Sequence, residues 1–268
     1  MKSIFVFLFI LFSFLGSAQE KTHYFKSHDG IKIAYSDQGN GYPVVLLHGF
    51  INTRKNWDKS DLKKVLLAKG YRVIAPDLRG NGESDKPQND EAYQNSAELK
   101  DIIALIDHLN ISSYKAVGYS RGAIILTKLL TMDHRIRKAV IGGVGADFTN
   151  PKWEIPELFA KAFSGEDELN DMTRGAVTYA KSINADLKSL SLQQQHQPKT
   201  TAAQCANIEI PILIISGKED TTNGNREALQ KLLPNSTLIY VKGDHNNTYK
   251  QANFGRMASQ FIFKEKLR

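Results

Sequence analysis

The chain has only one cysteine, Cys205, among its 268 residues. A single thiol cannot form an internal disulfide, so a disulfide-stapled fold is excluded and a buried, inert thiol is expected. The chain also lacks a fixed-period repeat, and its eight prolines and nineteen glycines are scattered along it. With 41% hydrophobic and 24% charged residues, the composition indicates one globular domain large enough to bury a core.

Several functional classes lack support in the sequence. The formal net charge is +7, but lysine and arginine are spread without a basic block, which favours solubility over nucleic-acid binding. The chain has no His-Glu-x-x-His metal motif, no phosphate-binding Gly-x-x-x-x-Gly-Lys run and no dinucleotide fingerprint. We therefore expect no cofactor and no metal, and a small molecule as the partner.

The one long apolar run lies at the N-terminus, over residues 4–15, and follows Lys2. Small residues follow it and end at Ala18, a pattern that predicts a signal peptide over residues 1–18 and export to the periplasm or medium. An uncleaved anchor is the competing interpretation, although a membrane span needs about 20 apolar residues. No cysteine stands directly after this leader, where Gln19 follows Ala18, so lipid anchoring is not indicated.

Short apolar runs alternate with stretches of helical periodicity along most of the chain. The solidly apolar run at residues 44–47 is typical of a strand covered on both faces. This alternation predicts an α/β fold with a doubly wound, mostly parallel sheet and helices on both faces. The predicted strands are 31–35, 44–47, 71–75, 115–119, 138–141, 211–215 and 237–241, and the predicted helices are 59–69, 97–109, 121–132 and 248–266.

The alternation stops between residues 147 and 206, where a polar, mostly helical stretch intervenes. We interpret it as a helical lid inserted into a core formed by residues 19–146 and 207–268. Its large apolar side chains indicate either a pocket for an apolar acyl or alcohol group or simply the core of the lid. They are Trp153, Phe159, Phe163, Met172 and Tyr179.

The most informative motif is Gly118-Tyr119-Ser120-Arg121-Gly122, between a predicted strand and a predicted helix. This Gly-x-Ser-x-Gly pattern is typical of a nucleophile elbow, a sharp turn that needs glycines where side chains would collide and leaves the serine hydroxyl exposed. The competing interpretation is an ordinary loop in which Ser120 caps the helix.

Together with other segments, this motif resembles the α/β-hydrolase superfamily, close to its small lid-bearing esterases, from about residue 30 to residue 263. The further segments that carry the resemblance are His48-Gly49-Phe50, Asp77-Leu78-Arg79-Gly80-Asn81-Gly82-Glu83-Ser84, Gly217-Lys218-Glu219-Asp220 and Gly243-Asp244-His245. The resemblance implies the order nucleophile, acid, histidine. It also implies a structural role for the glycine-rich turn at residues 77–84.

The expected catalytic residues are Ser120, Asp220 and His245. A serine hydroxyl needs a neighbouring imidazole to accept its proton during attack, and the acid fixes the tautomer of that imidazole. His48 is the main rival histidine, but the resemblance places it in the turn that shapes the oxyanion hole. Asp147 is the alternative acid, because some members of the superfamily take the acid from that position.

The resemblance further points to the backbone amides of Phe50 and Arg121 as the oxyanion-hole donors. Arg121 departs from related elbows, which more often carry Met, Leu, Gln or Trp there, and a cation at a helix start opposes the dipole. Two explanations stay open. Arg121 pairs with a nearby carboxylate, or it biases the pocket toward anionic substrates.

These observations predict a serine hydrolase, a carboxylesterase that works through an acyl-enzyme intermediate. Amide, thioester, lactone or carbon–carbon bond hydrolysis uses the same triad and stays open as an alternative. A serine at the elbow argues against the aspartate-nucleophile epoxide hydrolases and haloalkane dehalogenases. The alternative from another class is a ligand-binding protein that kept this fold without turnover.

Overall fold

The structure, a computed structural model, describes residues 21–166 and 169–264. The predicted signal peptide lies outside these residues. Among the residues described, no helix combines the length and apolar character needed to cross a membrane.

Within the described ranges the strands form one eight-stranded sheet in the order β1-β2-β4-β3-β5-β6-β7-β8. β2 pairs antiparallel with both β1 and β4, and every other pair is parallel. The predicted mostly parallel sheet is therefore confirmed. The strands are β1 (His23–Lys26), β2 (Lys32–Gln38), β3 (Pro43–Leu47), β4 (Arg72–Pro76), β5 (Tyr114–Tyr119), β6 (Ile136–Gly142), β7 (Ile212–Gly217) and β8 (Ser236–Val241).

Helices cover both faces of this sheet, as the solidly apolar strands require. In β3, Val44 and Leu46 pack with α1 and α9, whereas Val45 and Leu47 pack with α2 and α3 on the opposite face. The helices are α1 (Asp61–Ala68), α2 (Ala97–His108), α3 (Arg121–Leu129), α4 (Ile155–Ser164), α5 (Asp171–Ser182), α6 (Leu187–Gln195), α7 (Ala202–Ala206), α8 (Arg226–Leu232) and α9 (Ala252–Phe263).

Three elements differ from the prediction, and one of them is α8 (Arg226–Leu232), where no helix was predicted. The sequence did not indicate β1, because this edge strand has four residues and buries only Phe25, too little for a periodic pattern. The predicted helix over residues 248–266 is interrupted, since Thr248–Lys250 forms a separate 3-10 helix before α9 begins at Ala252. The hydroxyl and amide of Thr248 both donate to the carbonyl of Asp244, which closes a local turn beside His245.

α4 to α7 lie between β6 and β7, in the stretch that the sequence analysis interpreted as a lid. These helices have a small apolar core of their own that also contains Ile51, from the loop after β3. Its buried members on α4, α5 and α6 are Ala162, Phe163, Val177, Ala180 and Leu190. The domain boundaries given above stay a prediction, and we call residues 147–206 the helical insertion.

Candidate active site

The candidate site lies at the carboxyl edge of the sheet, near its centre. β3 and β5 are neighbours there, and the segments that follow them carry His48 and Ser120. Asp220 follows β7 and His245 follows β8, so all these side chains belong to loops at one edge. Open α/β sheets build their sites at this edge.

Ser120 occupies a sharp strand-to-helix turn with φ 53° and ψ −125°. Its amide donates to the carbonyl of Gly142 at 2.8 Å, which anchors the turn to the neighbouring strand. A side chain on Gly118 would collide with the carbonyl of Gly122, and one on Gly122 with the carbonyl of Leu47. The elbow geometry is therefore as predicted, and the Ser120 side chain does not cap α3.

Ser120, His245 and Asp220 form a continuous hydrogen-bonded chain. Ser120 Oγ lies 2.9 Å from His245 Nε2, and His245 Nδ1 lies 3.0 Å from Asp220 Oδ2. The Asp220 side chain is fully buried. Among the described carboxylates, that of Asp220 is the one within hydrogen-bond distance of His245, whereas Asp147 lies in a short 3-10 helix against Gly224.

Three residues that the sequence analysis did not single out surround this chain. Asn223 donates to Asp220 Oδ1 at 2.8 Å, and Arg226 Nη2 lies 2.9 Å from the same oxygen. Tyr119 donates from its hydroxyl to the backbone carbonyl of His245 at 2.8 Å. Burial raises the pKa of Asp220, but hydrogen bonds from His245 and Asn223 and the nearby positive charges outweigh it, so the pKa is lowered and the carboxylate is the stable form.

The proposed oxyanion-hole donors lie in the two loops that meet at Ser120. A Cβ placed on Gly49 would lie 3.2 Å from Ser120 Cβ, so the chain at Phe50 passes directly beside the nucleophile. Within the described part of the chain, neither the Phe50 amide nor the Arg121 amide has a hydrogen-bond partner. Both amides are therefore available to a ligand oxygen.

His48 shapes the loop that carries Phe50, and both of its ring nitrogens bond to the backbone, whereas Ser120 Oγ pairs with His245. Its Nε2 accepts the Leu78 amide at 3.0 Å, and its Nδ1 lies 2.8 Å from the carbonyl of Gly49. Burial lowers the pKa of His48 and keeps its imidazole neutral. These contacts fit the structural role that the sequence analysis expected.

Arg121 turns away from the nucleophile into the protein. Its Nη1 and Nη2 donate to the two carboxylate oxygens of Glu98, at 2.8 and 2.6 Å, and Nη2 also donates to the carbonyl of Gln193 at 2.8 Å. Both partners of the ion pair are buried. The structure thus favours the first explanation of this cation, pairing with a carboxylate, over a direct role toward anionic substrates.

The turn at residues 77–84 is scaffolding, as expected. The Asp77 carboxylate accepts hydrogen bonds from the backbone amides of Arg54, at 2.7 Å, and Glu83, at 2.9 Å. It also forms a buried ion pair with the Arg54 guanidinium. Ser84 Oγ donates to the carbonyl of Asp77 at 2.7 Å. The polar side chains of this turn are engaged with the protein itself.

One group of described side chains, His28, Asp29 and Asp101, lies close enough together to hold a metal ion. Arg79 already donates to Asp29 at 2.8 Å and to both oxygens of Asp101 at 2.6 and 2.7 Å. A guanidinium therefore supplies the positive charge that a cation would otherwise provide. The arrangement is an ion-pair network away from Ser120.

The large apolar side chains of the helical insertion divide into three groups. Phe159 and Phe163 pack on the ring of Phe50, with centroid distances of 5.9 and 5.2 Å. Trp153 lines a separate cavity of about 560 Å³ within the insertion. Met172 and Tyr179 are exposed to solvent. Phe159 and Phe163 thus place the insertion directly against the loop beside the nucleophile.

The family model for the alpha/beta hydrolase fold matches residues 42–159. A 2-hydroxymuconate semialdehyde hydrolase from Pseudomonas sp. (strain CF600) is 33% identical over 217 residues, which cover 78% of this chain and 72% of that protein. A protein named as a 2-succinyl-6-hydroxy-2,4-cyclohexadiene-1-carboxylate synthase, from Bacillus subtilis (strain 168), is 24% identical over 267 residues, covering 87% of this chain and 96% of its own length.

Solved structures share the fold. An esterase from Exiguobacterium antarcticum superimposes with a TM-score of 0.74 and 21% identity, covering 90% of this chain and 99% of the esterase. These similar proteins are named for different reactions, so the choice among reactions rests on the site.

Proposed function

This chain belongs to the α/β-hydrolase superfamily, and on that premise we propose that it is a serine hydrolase that cleaves a carboxylic ester of a small molecule. The observation that carries the proposal is the unbroken chain of Ser120 Oγ, His245 and Asp220, with distances of 2.9 and 3.0 Å. A nucleophile, a base and an acid that orients the base are the groups that acyl transfer requires.

In the first half of the reaction, Ser120 Oγ attacks the acyl carbon while His245 Nε2 accepts the hydroxyl proton. Asp220 stabilises the imidazolium that forms and holds its ring by the hydrogen bond to Nδ1. The carbonyl oxygen becomes an oxyanion, and the amides of Phe50 and Arg121 donate to it. Each such donor contributes about 3 to 4 kcal/mol of transition-state stabilisation.

The tetrahedral intermediate collapses as His245 returns the proton to the leaving alcohol, which leaves an ester between the acyl group and Ser120. A water molecule then attacks this acyl-enzyme, and His245 accepts one of its protons. The second collapse releases the carboxylic acid and restores the Ser120 hydroxyl. The cycle consumes one water molecule and needs no redox partner.

The surroundings of the nucleophile favour an uncharged ester. The guanidinium at the elbow, Arg121, is neutralised by Glu98 and buried, so it offers no charge to a substrate carboxylate. Phe50, Phe159 and Phe163 place aromatic rings next to the proposed oxyanion hole. We therefore propose that the helical insertion acts as a lid that contributes apolar contacts to the substrate.

A p-nitrophenyl ester series from acetyl to long acyl chains tests the proposal, using protein that begins at Gln19. We expect hydrolysis by the wild type and a loss of at least about 1000-fold in kcat/KM for Ser120→Ala. Residual activity of Ser120→Ala close to the wild type would contradict the assignment of the nucleophile. No hydrolysis by the wild type, together with no covalent labelling of Ser120, would support the ligand-binding alternative.

A second candidate reaction is hydrolysis of a carbon–carbon bond with the same triad. The similarity to the 2-hydroxymuconate semialdehyde hydrolase, which extends over 78% of this chain, favours testing that compound. Faster turnover of 2-hydroxymuconate semialdehyde than of every ester in the series would select this reaction over ester hydrolysis.

We also propose that the protein is exported, on the basis of the apolar run and small residues within residues 1–18. Expression of the full chain, followed by intact mass measurement of the cell-envelope and medium fractions, tests this. A mass that corresponds to a chain beginning at Gln19 supports export with cleavage. Full-length protein confined to the cytoplasm would contradict it.

A further inference from the structure

Two side chains of the segment after β7 converge on the Asp220 oxygen that does not face His245. Asn223 Nδ2 donates to Oδ1 at 2.8 Å, and Arg226 Nη2 lies 2.9 Å from it. The Arg226 side chain is only 8% exposed and that of Asp220 is not exposed at all. One oxygen of the proposed catalytic acid therefore faces the imidazole of His245. The other oxygen faces a buried cation and a side-chain amide.

Arg226 is held in this position by the backbone. Its Nη1 donates to the carbonyl of Gly224 at 2.6 Å, and Gly224 in turn packs against Gly145 after β6. The carbonyl of Asn225 accepts the amide of Ala146 at 2.9 Å, which ties the same segment to the sheet. The guanidinium has little freedom to leave the carboxylate.

The two partners of Oδ1 differ in what they supply. The Asn223 contact is a directed hydrogen bond, so it fixes the orientation of the carboxylate. Arg226 Nη2 has no partner that meets hydrogen-bond geometry among the described residues, so its contact with Asp220 is an interaction of charges. A cation beside the acid stabilises the carboxylate and opposes a second positive charge on the nearby imidazole.

We propose that Arg226 is a positioning residue that sets the acidic limit of activity by holding Asp220 ionised and by opposing a positive charge at His245. The proposal rests on the proposed serine hydrolase function. Without Arg226, a positive charge at His245 is opposed less strongly and the carboxylate of Asp220 is protonated more readily. Both changes inactivate the resting enzyme at low pH, so both shift the acidic limb of the profile toward higher pH.

Other charged or titratable groups near this site are the same in wild type and variant. Glu219 accepts the amide of Gly243, Asp147 lies against Gly224, Asp244 precedes His245, and Tyr119 packs beside the imidazole with a ring-centroid distance of 5.7 Å. Their contributions cancel when two profiles are compared, provided that the fold is retained.

The test is the pH dependence of kcat/KM for p-nitrophenyl acetate, measured on wild type and Arg226→Gln. We expect the midpoint of the acidic limb to move up by about 0.5 to 1 pH unit, less than the 1 to 3 units of a direct charge contact. Near the foot of that limb, activity then falls about 3- to 10-fold, while the plateau above pH 8 changes little.

Arg226→Met is measured in parallel and gives the same comparison if the glutamine variant does not fold. Arg226→Lys, which retains the charge, should restore the wild-type limb. Asn223→Ala should lower the plateau and move the limb less than Arg226→Gln does, because the amide also stabilises the carboxylate but carries no charge that opposes a positive charge at His245. The inference would be overturned if the acidic limb of the kcat/KM profile of a folded Arg226→Gln or Arg226→Met superimposed on that of the wild type. An acidic limb that moves as far in Asn223→Ala as in Arg226→Gln would also overturn the inference.

A matched control is Arg72→Gln. Arg72 forms its own ion pair with Asp37, at 2.6 Å, at the start of β4 and thus at the opposite edge of the sheet from Ser120. Its profile should superimpose on that of the wild type. The proposed function is judged separately, because its failure would appear as wild-type protein that neither hydrolyses the ester nor labels at Ser120.

Discussion

Arg121, the residue directly after the nucleophile, forms a buried ion pair with Glu98 through two hydrogen bonds, at 2.8 and 2.6 Å. The pair joins α3, which begins at the elbow, to α2, and its hydrogen bond to the carbonyl of Gln193 extends it to α6 of the helical insertion. A cation at a helix start, unfavourable by itself, is thus compensated by a carboxylate.

Breaking this pair should cost more stability than breaking an exposed one. Glu98→Gln leaves the Arg121 guanidinium buried without a carboxylate, so we expect the free energy of unfolding to fall by about 3 to 5 kcal/mol. Asp37→Asn, which removes the partially exposed partner of Arg72, should cost about 1 kcal/mol. Urea denaturation of both variants measures the difference, and equal losses would contradict it.

Arg121 should not select the charge of the substrate. We expect Arg121→Met, combined with Glu98→Gln so that no unpaired carboxylate is left behind, to keep the ratio of kcat/KM for neutral and acidic esters within about 2-fold of the wild type, because the guanidinium already pairs with Glu98. A competition assay with a neutral ester and its carboxylate-bearing analogue measures this ratio. A tenfold shift toward the neutral ester would restore the hypothesis of an anion-binding elbow.

The two candidate acids give opposite expectations. Asp220→Asn retains the size of the side chain but loses the charge beside His245, so we expect kcat to fall by about 1000- to 10,000-fold. Asp147→Asn should change kcat less than about 3-fold, because Asp147 lies against Gly224 and not against the imidazole. A large loss in Asp147→Asn with an active Asp220→Asn would transfer the role of the acid.

The elbow should tolerate no side chain at Gly122. Gly122→Ala places a methyl group against the carbonyl of Leu47, so we expect loss of both stability and esterase activity. Gly175→Ala is the matched control, since this glycine lies inside α5 with open space around it. It should raise the free energy of unfolding by about 0.5 to 1 kcal/mol. A fully active Gly122→Ala would contradict the elbow geometry.

Cys205 should react only when the protein unfolds. Burial raises the pKa of its thiol to about 11, so the thiolate is scarce and inaccessible in the folded state. Its contribution to stability is complete below the unfolded pKa of about 8.5 and declines as the pH rises toward about 11. Iodoacetamide at pH 8 should label native protein slowly and protein in guanidinium chloride rapidly. Fast native labelling would contradict this.

The sequence predicts the elements whose signals are local. The runs of β3 and β7 are apolar on both faces, the elbow has its two glycines, and Ser120, Asp220 and His245 each follow a predicted strand. β1 has no such signal, because a four-residue edge strand with one buried side chain has the same sequence pattern as a polar loop. The break before α9 was missed because it depends on the Thr248 contacts with Asp244, which the periodicity of the helix does not encode.

Contacts across loops explain what was missed at the site. Arg226 follows Asp220 by six residues, but its approach to Oδ1 depends on how the intervening segment folds back toward Gly145. The same holds for Arg121, whose partner Glu98 lies 23 residues away on another helix. Pairing with a carboxylate was one of two explanations that the sequence left open for Arg121, and only the packing of α2 on α3 identifies Glu98 as the partner.

The most direct test of the central claim is covalent labelling by a fluorophosphonate, read by mass spectrometry of the peptide that contains Ser120. We predict one adduct per chain, located on Ser120, with labelling abolished in Ser120→Ala and strongly slowed in Asp220→Asn. Wild-type protein that stays unlabelled, or an adduct that persists in Ser120→Ala, would contradict the assignment of Ser120 as the nucleophile of a serine hydrolase.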